Sequence, residues 1–177
     1  MKFYVCAVVM ISLAACSGGG GGGGDDGGDG GTPVDLTPDA PDATLNSDFG
    51  MLMNGSRSAS KPDLVYNDTV GKVAQAQANV MFEDGHLSEW ESGTAGVGRD
   101  VGDRLNDEGY SWFSYAARTE QGENTVADQM TEFEDDICQG SAITCFEVTE
   151  FEEFGIARAG AGDDTKWMLI LTEPNNP

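Results

Sequence analysis

Basic residues are scarce in this chain. Nine Lys and Arg stand against 31 Asp and Glu, a formal charge of −22 over 177 residues. That imbalance excludes a general electrostatic grip on nucleic acid or on anionic lipid, because both repel it. Histidine is scarcer still: His86 is alone, so no site can draw two imidazoles from this chain. Cysteine occurs four times, at 6, 16, 138 and 145. The apolar run from Phe3 to Ala15 falls short of the roughly 20 residues that a spanning helix needs. At roughly 150 residues per domain, the chain holds one domain plus extensions.

What is present begins with an address. Met1-Lys2 supplies a short positive start, and the apolar run that follows fits the core of a secretory signal peptide. It ends Leu13-Ala14-Ala15-Cys16, which resembles a bacterial lipobox. Small side chains before the cut suit a processing site. The resemblance implies that residues 1–15 are removed and that the Cys16 thiol carries a diacylglycerol, so the mature chain reaches a membrane through its lipidated end. Ser17, not Asp, follows Cys16, and in Gram-negative sorting that implies the outer membrane. The chain is expected in a bacterial cell envelope.

Residues 16–44 read as a tether. Gly18 to Gly24 is unbroken glycine, followed by Asp-rich sequence and by Pro33, Pro38 and Pro41. Such a segment has no apolar area to bury and the most backbone entropy to lose, so disorder is expected. Its flexible reach is on the order of 30 Å, more with repulsion among the aspartates. Asp25, Asp26 and Asp29 lack the spacing and companions of a calcium loop, and read as solvated spacer.

Residues 45–177 are long enough for one ordinary core. All but six of the acids and all but one of the bases lie here, so the acidity is not confined to the tether. After the short apolar run Leu64-Val65-Tyr66, Asn67 or Asp68 can cap a helix. Val70, Val73, Ala74, Gln77, Val80 and Met81 then fall on one face, predicting a helix over 68–83 that Gly85 ends. A second helical stretch spans 100–108, with Val101 and Leu105 inward and Gly109 as its stop. The aromatic cluster Tyr110 to Tyr115 reads as core packing or a covering loop. Val126, Met130, Phe133 and Ile137 form an apolar stripe on a third helix over 125–137.

A hairpin closes the chain, with strands 154–159 and 166–171 around a Gly- and Asp-rich turn. The nearly continuous apolar run Trp167 to Leu171 predicts a strand covered on both faces. Gly155-x-Ala-x-x-Gly160 lies between strands rather than before a helix, so it is no dinucleotide loop. Helices in the middle and strands toward the end give α+β, with a small antiparallel sheet between helical layers. In an exported chain Cys138 and Cys145 can form a short-range bridge, modest in entropic worth; a free pair or a metal pair is the alternative. With one His and no further Cys, zinc has too few ligands.

In this order and spacing, the segments resemble the CAP superfamily, or SCP-like domains. The residues that carry the resemblance are Leu64 to Val70, the Ala- and Gln-rich helix Lys72 to Met81, and Gly85-His86. Asp103-Arg104-Leu105 with Gly109-Tyr110, Gly122-Glu123-Asn124, Phe151-x-x-x-Gly155-Ile156-Ala157 and Trp167 complete the series. The resemblance implies a three-layer α-β-α sandwich with a small central antiparallel sheet. It also implies a cleft of two His and two acids, able in some members to hold a divalent metal. His86 and Glu123 match the first His and first Glu, with Asn124 beside them. Glu132 and Glu134 are candidates for the second acid. The second His, expected near Ser141 to Thr144, has no counterpart.

That departure bears on chemistry. Zinc and copper want imidazole or thiolate, whereas one His with acids could hold Ca²⁺ or Mg²⁺ weakly. As a general acid–base pair, His86 and Glu123 make at most a dyad. The simplest role for His86 is a polar residue at a helix end, hydrogen-bonded to Glu123. Glu123 and Asn124 would fix a strand-to-helix turn. The expected function is a membrane-tethered, non-enzymatic binding module for a lipid or sterol or a protein partner, with a degenerate metal site. A protease-like hydrolase using the His86/Glu123 dyad is the alternative, and a protective or spacing lipoprotein a third reading.

Overall fold

The structure is a computed structural model that describes residues 42–122, 125–135 and 147–175. Cys16, Glu123, Asn124, Cys138, Cys145 and the Ser141–Thr144 segment lie outside the described residues, as do the signal peptide and nearly all of the tether.

Helix α1 spans Ala43–Ser56. The Asp42 carboxylate accepts from the backbone N–H groups of Thr44 and Leu45, at 2.9 and 3.2 Å, satisfying donors that a helix start leaves open. Leu45, Phe49 and Met53 recur every four residues and are buried along one face. The Asn54 side chain donates to the Leu64 carbonyl and accepts the Leu64 N–H, at 3.0 and 2.8 Å. This clasp folds the intervening loop back on α1 and delivers the chain to β1 (Val65–Tyr66).

Asn67, the first of the two expected caps, starts α2 (Asp68–Asp84), and Gly85 ends it in the left-handed conformation at φ 68°. Helix α3 (Val101–Asp107) opens on a reciprocal capping box of Asp100 and Asp103. Strand β2 (Trp112–Gln121), helix α4 (Val126–Asp135), strand β3 (Glu153–Ala159) and strand β4 (Lys166–Pro174) complete the described elements. None of the described helices is long and apolar enough to cross a membrane.

The strands order β1-β3-β4-β2. Strands β3, β4 and β2 pair antiparallel, and β1 pairs parallel to β3 at Val65 and Tyr66. The sheet is therefore mixed rather than purely antiparallel, because a two-residue edge joins it from the α1–α2 connection. Alternation along β3 and β4 builds two cores. Phe154, Ile156, Trp167, Leu169 and Leu171 face α1 and α4. Ala157, Met168 and Ile170 face α2 and α3. This is the expected α-β-α sandwich, and β4 is its doubly covered strand. Burying a side chain such as Leu or Phe contributes about 1.5–3 kcal/mol, against about 0–1 for an exposed ion pair. The two apolar layers, not the few ion pairs, hold the body together.

Two differences from the sequence reading are instructive. The Tyr110–Tyr115 region is not a covering loop but leads into β2, a ten-residue strand. Its second half, Ala116-Ala117-Arg118-Thr119-Glu120, has little intrinsic strand preference; pairing with β4 over nine positions overrides that. Strands thus occupy the middle as well as the end. Helix α1 had no expectation attached, because its apolar positions are diluted by Asn46, Ser47, Asp48 and Asn54. The third expected helix is present as α4, and its positions 136–137 lie outside the described residues.

Helix α2 lies unusually close to β3. A Cβ at Gly155 would sit 2.5 Å from the Gly71 nitrogen and 2.5 Å from the Val70 carbonyl carbon. Backbone cannot yield as a flexible side chain can. Gly155→Ala is expected to lower unfolding free energy by about 1–3 kcal/mol, read as a drop in urea midpoint. Gly55→Ala, at a helical position with open space around it, should raise stability by about 0.5–1 kcal/mol. Equal midpoints for Gly155→Ala and the parent would disprove the backbone contact.

Candidate functional site: the His86 loop and its carboxylates

His86 follows directly from the way α2 ends. The left-handed Gly85 turns the chain, and the His86 N–H donates to the Met81 carbonyl at 3.1 Å. The half-buried ring then reaches forward into its own loop. Its Nε2 lies 3.2 Å from the Glu91 carbonyl oxygen. A carbonyl only accepts, so the proton resides on Nε2. Nδ1 is buried without a hydrogen-bond partner. Gly93, at φ 74°, lies against the ring; a Cβ there would come 2.9 Å from Cγ and Cδ2.

The loop around the ring is pinned at several points. Fully buried Gln77 donates from Nε2 to the Ser88 carbonyl at 2.8 Å. Ser88 Oγ accepts the Trp90 N–H at 3.0 Å. The Glu91 N–H donates to Arg99 O at 2.9 Å, and the Glu91 carboxylate pairs with Arg104 of α3 at 3.3 Å. The imidazole is thus a post inside a folded loop whose far end is Asp100, the cap of α3.

Beside this loop two carboxyl groups converge with an aromatic ring and a guanidinium. Burial pushes the Glu89 carboxyl above its ordinary value, the Asp100 charge pushes it further, and Arg118 opposes both. The Tyr115 hydroxyl donates to Asp100 Oδ2 at 3.3 Å. Its pKa is raised by burial first, then by the charges of Glu89 and Asp100. Tyr115 meets Trp112 edge to face at 5.0 Å, and the Trp112 Nε1 is buried without a hydrogen-bond partner. Glu89, Asp100 and Tyr115 thus form one electrostatically coupled group beside the braced loop, with the Arg118 charge offsetting part of it.

Of the expected site residues, His86, Glu132 and Glu134 are described. Glu132 is exposed on α4, whose buried Met130 and Phe133 join the α1-facing core. No hydrogen bond or ion pair joins Glu132 or Glu134 to His86. Gly122, which precedes Glu123, is fixed to the hairpin: its N–H donates to Thr165 O and its carbonyl accepts from Trp167 Nε1, both at 3.0 Å. Among the described residues no three of His, Cys, Asp and Glu gather closely enough to share a cation. The imidazole offers Nε2 to a carbonyl and keeps Nδ1 buried, so the described donors do not fit a zinc or copper ion.

Glu89, Asp100, Tyr115 and Arg118 escaped the sequence reading as a site. Asp100 and Tyr115 were visible only as a helix start and an aromatic cluster. Arg118 carried a usable signal as the one base between Arg104 and Arg158.

No family model and no curated protein matches this chain. Solved structures do match. An outer surface protein from Borrelia burgdorferi superposes with a TM-score of 0.57 at 15% identity, over 75% of this chain and 91% of that one. An extracellular protein containing a SCP domain from Bacillus anthracis gives 0.59 at 14% identity, over 73% of this chain and 40% of that one. A cysteine-rich secretory protein from Staphylococcus aureus gives 0.50 at 14% identity, over 80% and 41%. This chain thus spans about two-fifths of the latter two. The fold is SCP/CAP-like.

The carboxylate cluster carries a pH signature. A carboxyl whose pKa is raised on folding adds stability that is full below the ordinary glutamate value of 4.5 and lost as pH rises through the folded value. Glu89→Gln removes that loss. Urea midpoints of the parent should therefore fall relative to Glu89→Gln as pH climbs from about 4 toward neutrality. Parallel curves would show that Glu89 ionises as freely folded as unfolded.

Proposed function

Starting from an SCP/CAP-like body, we propose that this chain is a membrane-tethered, extracytoplasmic binding module rather than an enzyme. Its anchor is the lipidated Cys16, its spacer the Gly- and Asp-rich segment 16–44, and its ligand a lipid or sterol or a protein partner. The structural neighbours, an outer surface, an extracellular and a secretory protein, support a position outside the cytoplasm.

One observation carries the non-enzymatic reading. The chain's sole imidazole donates Nε2–H to the Glu91 carbonyl and packs beneath Gly93. A general base needs a free nitrogen within reach of the proton that it abstracts. Here one nitrogen is engaged and the other buried. The hydrolase alternative, a His86/Glu123 dyad, would need the ring to leave its loop.

Detergent-phase partitioning tests the anchor. The parent should enter the detergent phase, and Cys16→Ser should stay in the aqueous phase. Full-length Cys16→Ser then serves for function. It should co-sediment with vesicles of phosphatidylcholine and sterol, and His86→Ala added to it should leave that retention unchanged. Retention on no vesicle leaves a protein partner as the ligand. Casein hydrolysis by the parent that disappears in His86→Ala would establish the hydrolase instead.

A further inference from the structure

A cavity of about 270 Å³ sits where the β3–β4 hairpin turns. Arg158 and Trp167 line it on the strands, Gly160-Ala161-Gly162 at the turn and Gly122 just past β2. Gly160 and Gly162 take φ of 90° and 63°, a region that side chains disfavour, so the turn presents backbone to the cavity. The volume falls just under the roughly 300–1,000 Å³ of sites for drug-sized ligands, which sets the scale of any occupant.

Arg158 is the charged group of this cavity. It is exposed, and it is alone among the described arginines in giving its guanidinium no hydrogen bond or ion pair. Asp163 and Asp164 stand in the same turn, and neither pairs with it. The guanidinium is nonetheless held in place. Arg158 lies opposite Trp167 in the register of β3 and β4, with its Cζ over the indole, 5.5 Å from the ring centre. The indole is itself fixed: Trp167 is 1% exposed, and its Nε1 donates to the Gly122 carbonyl at 3.0 Å. The Arg158 carbonyl accepts from Gln75 Nε2 at 3.0 Å, which ties this part of β3 to α2. A guanidinium resting on an aromatic face keeps its fork of N–H donors for an anion.

Chemistry narrows the anion. A planar carboxylate matches the guanidinium fork with two parallel hydrogen bonds. The walls divide about evenly between polar and apolar surface, which suits a short organic body rather than a bare ion. The net charge of −22 opposes a doubly charged anion more than a singly charged one.

We propose that this cavity binds a small organic monocarboxylate. The ligand's two oxygens accept from the Arg158 guanidinium, and its body lies along the Gly160–Gly162 turn. The site rests on neither the anchor nor the His86 loop and goes beyond the binding-module reading, so either can fail without the other.

Titration of the full chain with benzoate, followed by proton–nitrogen NMR, tests the site. The Arg158 Nε–H resonance and the Gly160 and Gly162 amides should shift and saturate with benzoate. They should stay in place with benzamide, which has the same shape and no charge. Read from the two glycine amides, Kd should rise about tenfold in Arg158→Gln. It should rise less in Arg158→Lys, which keeps the charge and loses the fork. Ala161→Trp, at an exposed position on the cavity wall, should block benzoate while leaving Tm unchanged. Phenyl phosphate should bind more weakly than benzoate, and tighter binding would overturn the carboxylate assignment. No saturable shift with benzoate, or a Kd unmoved by Arg158→Gln, would overturn the site itself.

Discussion

The position of α2 on the sheet governs the rest of the molecule, and it is set by the absence of a side chain. At Gly155 the β3 backbone meets the α2 backbone at Val70 and Gly71 with nothing between them. Any larger residue would lift the helix off the sheet. Close approach lets Val70, Val73, Ala74, Ala78 and Met81 reach Met168 and Ile170 in one buried layer. It also makes room for the Tyr66 hydroxyl above Gly71. Because α2 is a rigid rod, fixing its first turn fixes its last. The Asn67 cap and the loop that begins at His86 are the two ends of one constraint.

Elements whose burial pattern is written locally were legible in the sequence. Helix α2 announces its face, its Asn67 cap and its Gly85 stop. The β3–β4 hairpin announces itself through the continuous apolar run of β4. Gly155 was legible only as a motif position, since its reason is a contact 84 residues away in sequence, at Gly71. Strand β2 was not legible, because Ala116, Ala117, Arg118 and Glu120 acquire their conformation from β4 rather than from preference. The site was half legible. His86 stands out as the lone imidazole, but Glu91 contributes a backbone carbonyl to it, and carbonyls have no sequence signature. Glu89 and Asp100 matter through proximity to Tyr115, which only the folded loop creates.

A body so rich in acid uses its few cations as internal ties. Arg57 donates to the carbonyls of Phe151 and Val148, at 3.0 and 3.2 Å, holding the chain before β3 to the end of α1. Lys61 pairs with Glu147, Arg99 with Asp107, and Arg104 joins α3 to the His86 loop. Lys166 donates to Gln121 across β4 and β2. Arg158 lies 5.5 Å from the centre of the Trp167 ring. Most of these contacts join segments distant in sequence, so they fix how elements meet more than how firmly any one of them forms. Half-buried carboxylates such as Glu89 supply the opposing strain, since each further negative charge in that neighbourhood costs more to ionise.

The imidazole shows how this fold houses a single ring at the end of a helix. A lone, half-buried ring without a second imidazole opposite still has two nitrogens to satisfy. Leaving both unpaired would cost the desolvation of each, about 1–3 kcal/mol apiece. The loop solves half of that by offering the Glu91 carbonyl, and Gly93 closes over the ring because it has no Cβ to obstruct. Once the ring braces the loop, its proton is committed to a structural hydrogen bond. A catalytic role would then need the loop to open. What the fold retains is the stiff frame on either side of α2, with polar groups displayed at both ends.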